Sequence, residues 1–115
     1  MKKISINKNT IEYLKDLDVH DSELKEIYCN YDKHIVVIPI TLQNPNEKGV
    51  PLKLEFINVK KIDVSIYEPW GEGIYINELT VQLAKDYLSF EVLMNSGDKI
   101  NIIASEMIYQ CQDTV

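Results

Sequence analysis

The sequence predicts a mainly β protein: an antiparallel β-sandwich or curled sheet of about seven to eight strands with one short N-terminal helix. Three observations carry that expectation. Apolar and polar residues alternate through residues 52–56, 88–94 and 100–104, the period of a half-buried strand. Turn residues punctuate the chain at about 8–12-residue spacing. Only residues 11–17 show helical spacing, through Ile11, Leu14 and Leu17.

Taken in order, residues 2–6 read as a short edge strand. Asn9 and Thr10 precede "IEYLKDL", and Glu12 follows Asn9 at the spacing of an approximate capping box, so an amphipathic helix is expected there. Residues 23–31 alternate imperfectly, and "YDKH" turns the chain into "IVVIPITLQ". That near-continuous apolar run suits a central strand buried on both faces. Pro39 interrupts it and implies a bulge or an edge position on one side. "QNPNEKGVP" is a polar hairpin loop. The strand after it points Leu52, Leu54 and Phe56 inward, and the next does the same with Ile62, Val64 and Ile66. Residues 74–84 fit helix or strand, with strand favoured for the second half by Leu79, Val81 and Leu83. Lys85-Asp86 and Ser96-Gly97-Asp98 are the remaining turns, the latter opening a closing strand of "KINIIASEMIYQC". No linker or repeat divides the chain, so residues 1–115 are expected to form a single domain.

Composition excludes several functions. The net charge is -6, and all 12 basic residues are lysines. Arginine supplies bidentate phosphate and guanine contacts, and phosphate neutralisation dominates nucleic-acid affinity, so nucleic acid is not an expected partner. An acidic surface favours a basic protein instead. The segment after Met1-Lys2-Lys3 is not apolar, and no stretch approaches membrane-spanning length. The chain is therefore expected to be cytoplasmic, without a signal peptide or membrane partner. Cys29 and Cys111 are expected as buried free thiols. No cofactor is called for.

The densest polar stretch is "VHDSELKEIY". His20, Asp21 and Ser22 cannot form a catalytic triad among themselves, because adjacent side chains do not converge in a strand or a helix. Asp16, Asp18 and His20 open like a calcium loop, but Asp21 stands where glycine is required and Ile27 where glutamate should close it. His20, Glu23 and His34 are metal-ligand candidates only if the first hairpin gathers them. The better reading is structural. Asp21 and Ser22 tie down backbone at the entry to the first strand, His20 packs half-buried against a carbonyl, Glu23 starts the strand, and Leu24 is its first core residue. No catalytic residue is assigned. For partner binding, Trp70 is held in a Pro/Gly turn between Glu68 and Glu72, with Tyr67 and Tyr75 nearby. An aromatic anchor ringed by acid suits a basic protein. The other tyrosines, Tyr28, Tyr31, Tyr87 and Tyr109, read as cross-strand pairs.

Val19, His20, Asp21, Ser22, Glu23 and Leu24, followed by a strand, a short turn and an apolar strand, resemble the opening of a diffuse group of small bacterial proteins. "LEFINVKKI" and "NSGDKINIIAS" are similar to later strands of that group. Some of its members are grouped with immunity proteins of bacterial toxin systems. The resemblance implies a cytoplasmic, non-enzymatic protein that binds and blocks a cognate toxin. The chain departs from the immunity-type members at Leu17-Asp18-Val19, where a tryptophan-containing segment often stands. Two other functions compete: a small metalloprotein or enzyme using His20, Glu23 and His34, and an assembly domain that oligomerises by an edge strand such as the one containing Pro39.

Overall fold

A computed structural model describes residues 3–66 and 74–111. Among them the chain forms β1 (Lys3–Ile6), β2 (Glu23–Leu24), β3 (Tyr28–Asn30), β4 (Ile35–Thr41), β5 (Pro51–Ile57), β6 (Lys61–Val64), β7 (Ile76–Ala84), β8 (Tyr87–Met94), β9 (Lys99–Ala104) and β10 (Glu106–Cys111). The fold is mainly β, as the alternation predicts, in two antiparallel sheets. One holds β1-β10-β5-β4-β2 with β3 also on β4, and the other runs β6-β9-β8-β7. Ten strands exceed the expected seven to eight because two stretches that read as single strands are each cut in two. Residues 23–30 split into β2 and β3, and "KINIIASEMIYQC" splits at Ser105.

The second split has a topological cause. β5 pairs with β10 in the first sheet, and their continuations β6 and β9 pair in the second. Both chains turn the corner side by side. Asn58 takes a left-handed φ of 56° there, a conformation asparagine tolerates better than most residues. Its side-chain amide donates to Ser105 Oγ at 2.7 Å, while the Ser105 N–H donates to the Ile57 carbonyl at 3.1 Å. A paired ribbon bent over itself thus joins the layers, as strands that switch sheets do.

Pro39 sits where the sequence placed the interruption. On one side β4 pairs continuously with β5, including Pro39 opposite Lys53. On the other, β2 covers Ile40 and Thr41 and β3 covers residues 35–37, so Pro39 falls in the gap where no neighbour needs its missing N–H. The strand is internal along most of its length, which corrects its reading as an oligomerisation edge.

The N-terminal helix is a 3-10 helix, Ile11–Asp16, with Leu14 buried. The expected capping box is absent. Thr10 holds the N-cap position without a capping side-chain bond. Its hydroxyl donates instead to the Ser5 carbonyl at 2.8 Å, while Asn7 Oδ1 accepts from the Asn9 N–H at 2.8 Å. The local polar groups build a run of tight turns, which favours the tighter helix.

One contiguous core lies between the sheets: Val36, Ile38 and Ile40 of β4; Leu52, Leu54 and Phe56 of β5; Leu88, Phe90 and Val92 of β8; Ile100 and Ile102 of β9; and Met107 and Tyr109 of β10. Phe56 and Phe90 meet edge to face across it, centroids 5.1 Å apart, a favoured aromatic geometry. Burial pushes the Tyr109 phenol up to about 12. Residues 76–84 are strand throughout. Three expectations fail at the margins. Val64 and Ile66 are exposed, as is Cys29, although both cysteines are free thiols. Tyr28 and Tyr31 are exposed and Tyr109 is buried, so the half-buried cross-strand pairing fits only Tyr87, which stands against Lys60 Nζ at 5.4 Å.

Candidate functional site

Residues 20–23 do bind backbone together, though through different atoms from those the sequence suggests. Asp21 adopts a left-handed φ of 64°, which turns the chain so that its N–H donates to the Ile76 carbonyl at 2.7 Å. The Ile76 N–H returns a bond to the Ser22 carbonyl at 2.9 Å, and the Leu24 N–H reaches the Ile74 carbonyl at 2.7 Å. Glu23 faces Tyr75 in an isolated bridge. The segment therefore stitches β2 of the first sheet to the start of β7 in the second. The main chain does this work. Ser22 is fully buried, yet its hydroxyl has no hydrogen-bond partner. His20 is exposed rather than half-buried, but its Nδ1 does lie 2.8 Å from the Asn77 carbonyl. That carbonyl first, and the nearby Asp21 carboxylate second, raise the His20 pKa above its ordinary 6.5.

The structure does not gather His20, Glu23 and His34. Glu23 lies opposite Thr41, at one end of β4, and accepts from Gln43 at 2.9 Å. His34 precedes Ile35 at the other end, about 20 Å away at roughly 3.3 Å per strand residue. His20 stands against β7. Among the described residues, no three His, Cys, Asp or Glu side chains group as metal ligands.

Of the aromatic–acidic candidates, Tyr67, Glu68, Trp70 and Glu72 lie outside the described residues. Tyr75 is described, and 38% of it is exposed beside the β2 bridge.

Two surfaces were not singled out in the sequence. The first is a cleft of about 300 Å³ where β3 and the β5–β6 corner face each other. Cys29, His34, Val59, Lys60 and Ile62 are among the groups that line it. His34 is held there by a left-handed φ of 56° and by its carbonyl, which accepts from the Val59 N–H at 2.8 Å.

The second surface is the outer face of the six-stranded sheet. Tyr28 pairs with Val37, Val37 with Glu55, and Glu55 with Ile108, so these four side chains cross the sheet in one row. Along β4 the outward positions are Ile35, Val37 and Pro39, all half-buried, while Val36, Ile38 and Ile40 point into the core. An antiparallel sheet facing solvent ordinarily carries polar residues outward. Here the outward positions of β4 are apolar, flanked by the exposed Tyr28 and Tyr31 and by carboxylates at Glu26 and Glu55, with the Tyr28 hydroxyl donating to Glu26. The signal was present as the apolar run in residues 35–40. The structure covers only one of the two faces that the run was expected to bury.

No family model matches the chain, and no curated protein does. The chain is similar to a solved structure described as the crystal structure of an uncharacterized protein from Neisseria gonorrhoeae. The two share 14% identity over 94% of this chain and 97% of that one, with a TM-score of 0.58. At that identity the likeness shows the fold alone.

Proposed function

We propose that this protein is a non-enzymatic, cytoplasmic binding protein: an immunity protein that neutralises a cognate bacterial toxin by engaging a basic face of it. The observation that carries this reading is the outer face of the six-stranded sheet, where Tyr28, Val37, Glu55 and Ile108 form an uncovered row. Interface centres are enriched in tyrosine and apolar groups, and Glu55 within the row suits a basic partner. A chain of net charge -6 without arginine steers toward basic surfaces. The kind of partner comes from the resemblance carried by residues 19–24. Trp70, with Glu68, Glu72, Tyr67 and Tyr75, is a second anchor in this proposal.

The test is co-expression with the product of the neighbouring gene, followed by affinity measurement over a salt series. A one-to-one complex that weakens as salt rises is expected. Tyr28→Ala and Val37→Asp should each cut affinity about tenfold or more with the fold intact, and Trp70→Ala should do the same. Absence of binding, or affinity indifferent to salt and to all three substitutions, overturns the reading. No helix among the described residues is long and apolar enough to cross a membrane.

A further inference from the structure

The flank between β3 and β6 leaves part of the core without a cover. Cys29 pairs with Val36, whose side chain is buried in the core, so Cys29 lies on the inward side of β3. Ile62 pairs with buried Ile102, which puts it on the inward side of β6. Both therefore face the gap between the sheets, where the cleft of about 300 Å³ opens. Its floor reaches Val36. The Val59–His34 backbone bond closes one end at 2.8 Å. Beyond Ile62 the next inward position, Val64, is 44% exposed, so the apolar strip runs on out of the cleft.

Charge at this cleft runs against the rest of the molecule. The chain has 18 acidic residues against 12 lysines, yet no carboxylate among the described residues lines the cleft, while Lys60, Lys61 and His34 do. Lys61 alternates to the outer side of β6 and sits 3.5 Å from Asp63. That leaves Lys60 and His34, both beside the bond that closes the end. Lys60 Nζ rests 5.4 Å from the Tyr87 ring centroid, an exposed and therefore weak cation–π contact. Its flexible four-carbon stem lets the ammonium turn away from that ring. The His34 ring stands 6.4 Å from the Tyr31 ring and makes no hydrogen bond among the described residues. An imidazole carries an N–H donor in either protonation state.

We propose that this cleft binds a small amphipathic anion, an apolar body carrying one carboxylate. The body lies between Cys29 and Ile62 over Val36, and the carboxylate meets Lys60 and His34 at the closed end. The volume is at the lower end for ligand pockets, which limits the occupant to a small molecule. Burial of the body supplies affinity. The head selects the sign of charge, because a hydrogen bond from a charged donor to a carboxylate is stronger than one between neutral groups. Tyr28 and Val37 lie on the opposite side of the same two strands. Partner binding on the outer face and anion binding here therefore succeed or fail separately.

An NMR titration of the isotope-labelled full chain tests this, with octanoate and phenylacetate as probes, each beside the alcohol and the amine of the same body. Shifts that saturate and centre on Cys29, Val36 and Ile62 are expected for at least one of the two anions. Its alcohol and its amine should bind about tenfold more weakly or worse. Lys60→Glu should raise the anion Kd about tenfold or more, and Lys60→Met, which keeps the stem, should raise it severalfold. Lys8→Glu makes the same charge change beyond β1, at the opposite edge of that sheet, and should leave the Kd within about twofold. Shifts that saturate for neither anion overturn the proposal. So does an amine that binds as tightly as its anion, or a Kd that Lys60→Glu and Lys8→Glu change alike. Should the Lys60 variants unfold, Cys29→Phe decides. Its added ring fills the cleft from an exposed position and should abolish anion binding, and an unchanged Kd overturns the proposal.

Discussion

The two flanks of this sandwich are built from the same kinds of residue and end up in opposite states. On one flank the segment of residues 21–24 is stitched to residues 74–76 by three backbone hydrogen bonds, and Val19, Ser22, Leu24 and Ile76 are buried beneath them. On the other, β3 and β6 face each other across an open cleft, where the Val59–His34 bond crosses at one end. Val64, patterned as a core residue and paired with Ile100 of β9, is left 44% exposed there. Alternation decides which way a side chain points. Whether anything covers it depends on the facing edges sharing hydrogen bonds, and those are set by residues far apart in the chain.

Substitution on each flank puts this contrast at its most severe. Ile76 is fully buried at the closed seam, so Ile76→Ala should cost about 2–5 kcal/mol through lost burial and a residual cavity. Val64→Ala on the open flank should fall within about 0.5 kcal/mol of the parent, as exposed substitutions do. Urea denaturation of the two variants checks the pair. Equal losses would mean that the open flank is sealed in solution and would erase the distinction.

The same contrast explains what was legible in the sequence. Strands whose inner face meets the opposite sheet squarely were readable: Leu52, Leu54 and Phe56, or Leu88, Phe90 and Val92, alternate and are buried as the pattern predicts. Leu24 as the first core residue and Pro39 at a pairing gap were readable too, because each rests on a local rule of side-chain or backbone chemistry. The failures sit where the outcome is tertiary. Val64 and Ile66 carry the right pattern at an uncovered margin, and "IVVIPI" carries a doubly buried pattern where one face stays open. The corner at Ser105 has no glycine or proline to announce it. It forms because β5 bends alongside at Asn58, and a single strand cannot display that. At residues 20–23 the location was legible but the atoms were not. A left-handed Asp21 lets the backbone do what its side chain and that of Ser22 were expected to do.

Ser22 offers a finer probe of the closed flank. Its hydroxyl is buried and unpartnered, and such a group costs about 1–3 kcal/mol of desolvation. The backbone bonds of Ser22 survive substitution by alanine, so Ser22→Ala should raise stability by about 1 kcal/mol. A loss of similar size in the same denaturation curves would show that the hydroxyl carries a hydrogen bond, to an ordered water for instance, and that the seam depends on side chains after all.

The smallest effect expected on this flank is a dependence on pH. His20 sits at the solvent edge of the seam, its Nδ1 facing the Asn77 carbonyl at 2.8 Å and its Nε2 lying 3.5 Å from Asp21 Oδ1. Both partners favour the imidazolium, the carbonyl more strongly, so the folded-state pKa lies above 6.5. The folded protein then holds a proton that the unfolded chain releases. This contribution is fully present below pH 6.5 and is lost as pH rises through the raised folded value. Solvent exposure of the ring keeps it small, and added salt weakens the Asp21 part of it. An NMR titration of the His20 ring should give a midpoint above 6.5. Asp21→Asn removes the lesser cause and keeps a residue that tolerates a left-handed φ, so the midpoint should fall only part of the way. A return to the ordinary value in that variant would show the Asn77 contact to be absent in solution. The closed flank would then end at the Ser22–Ile76 pair.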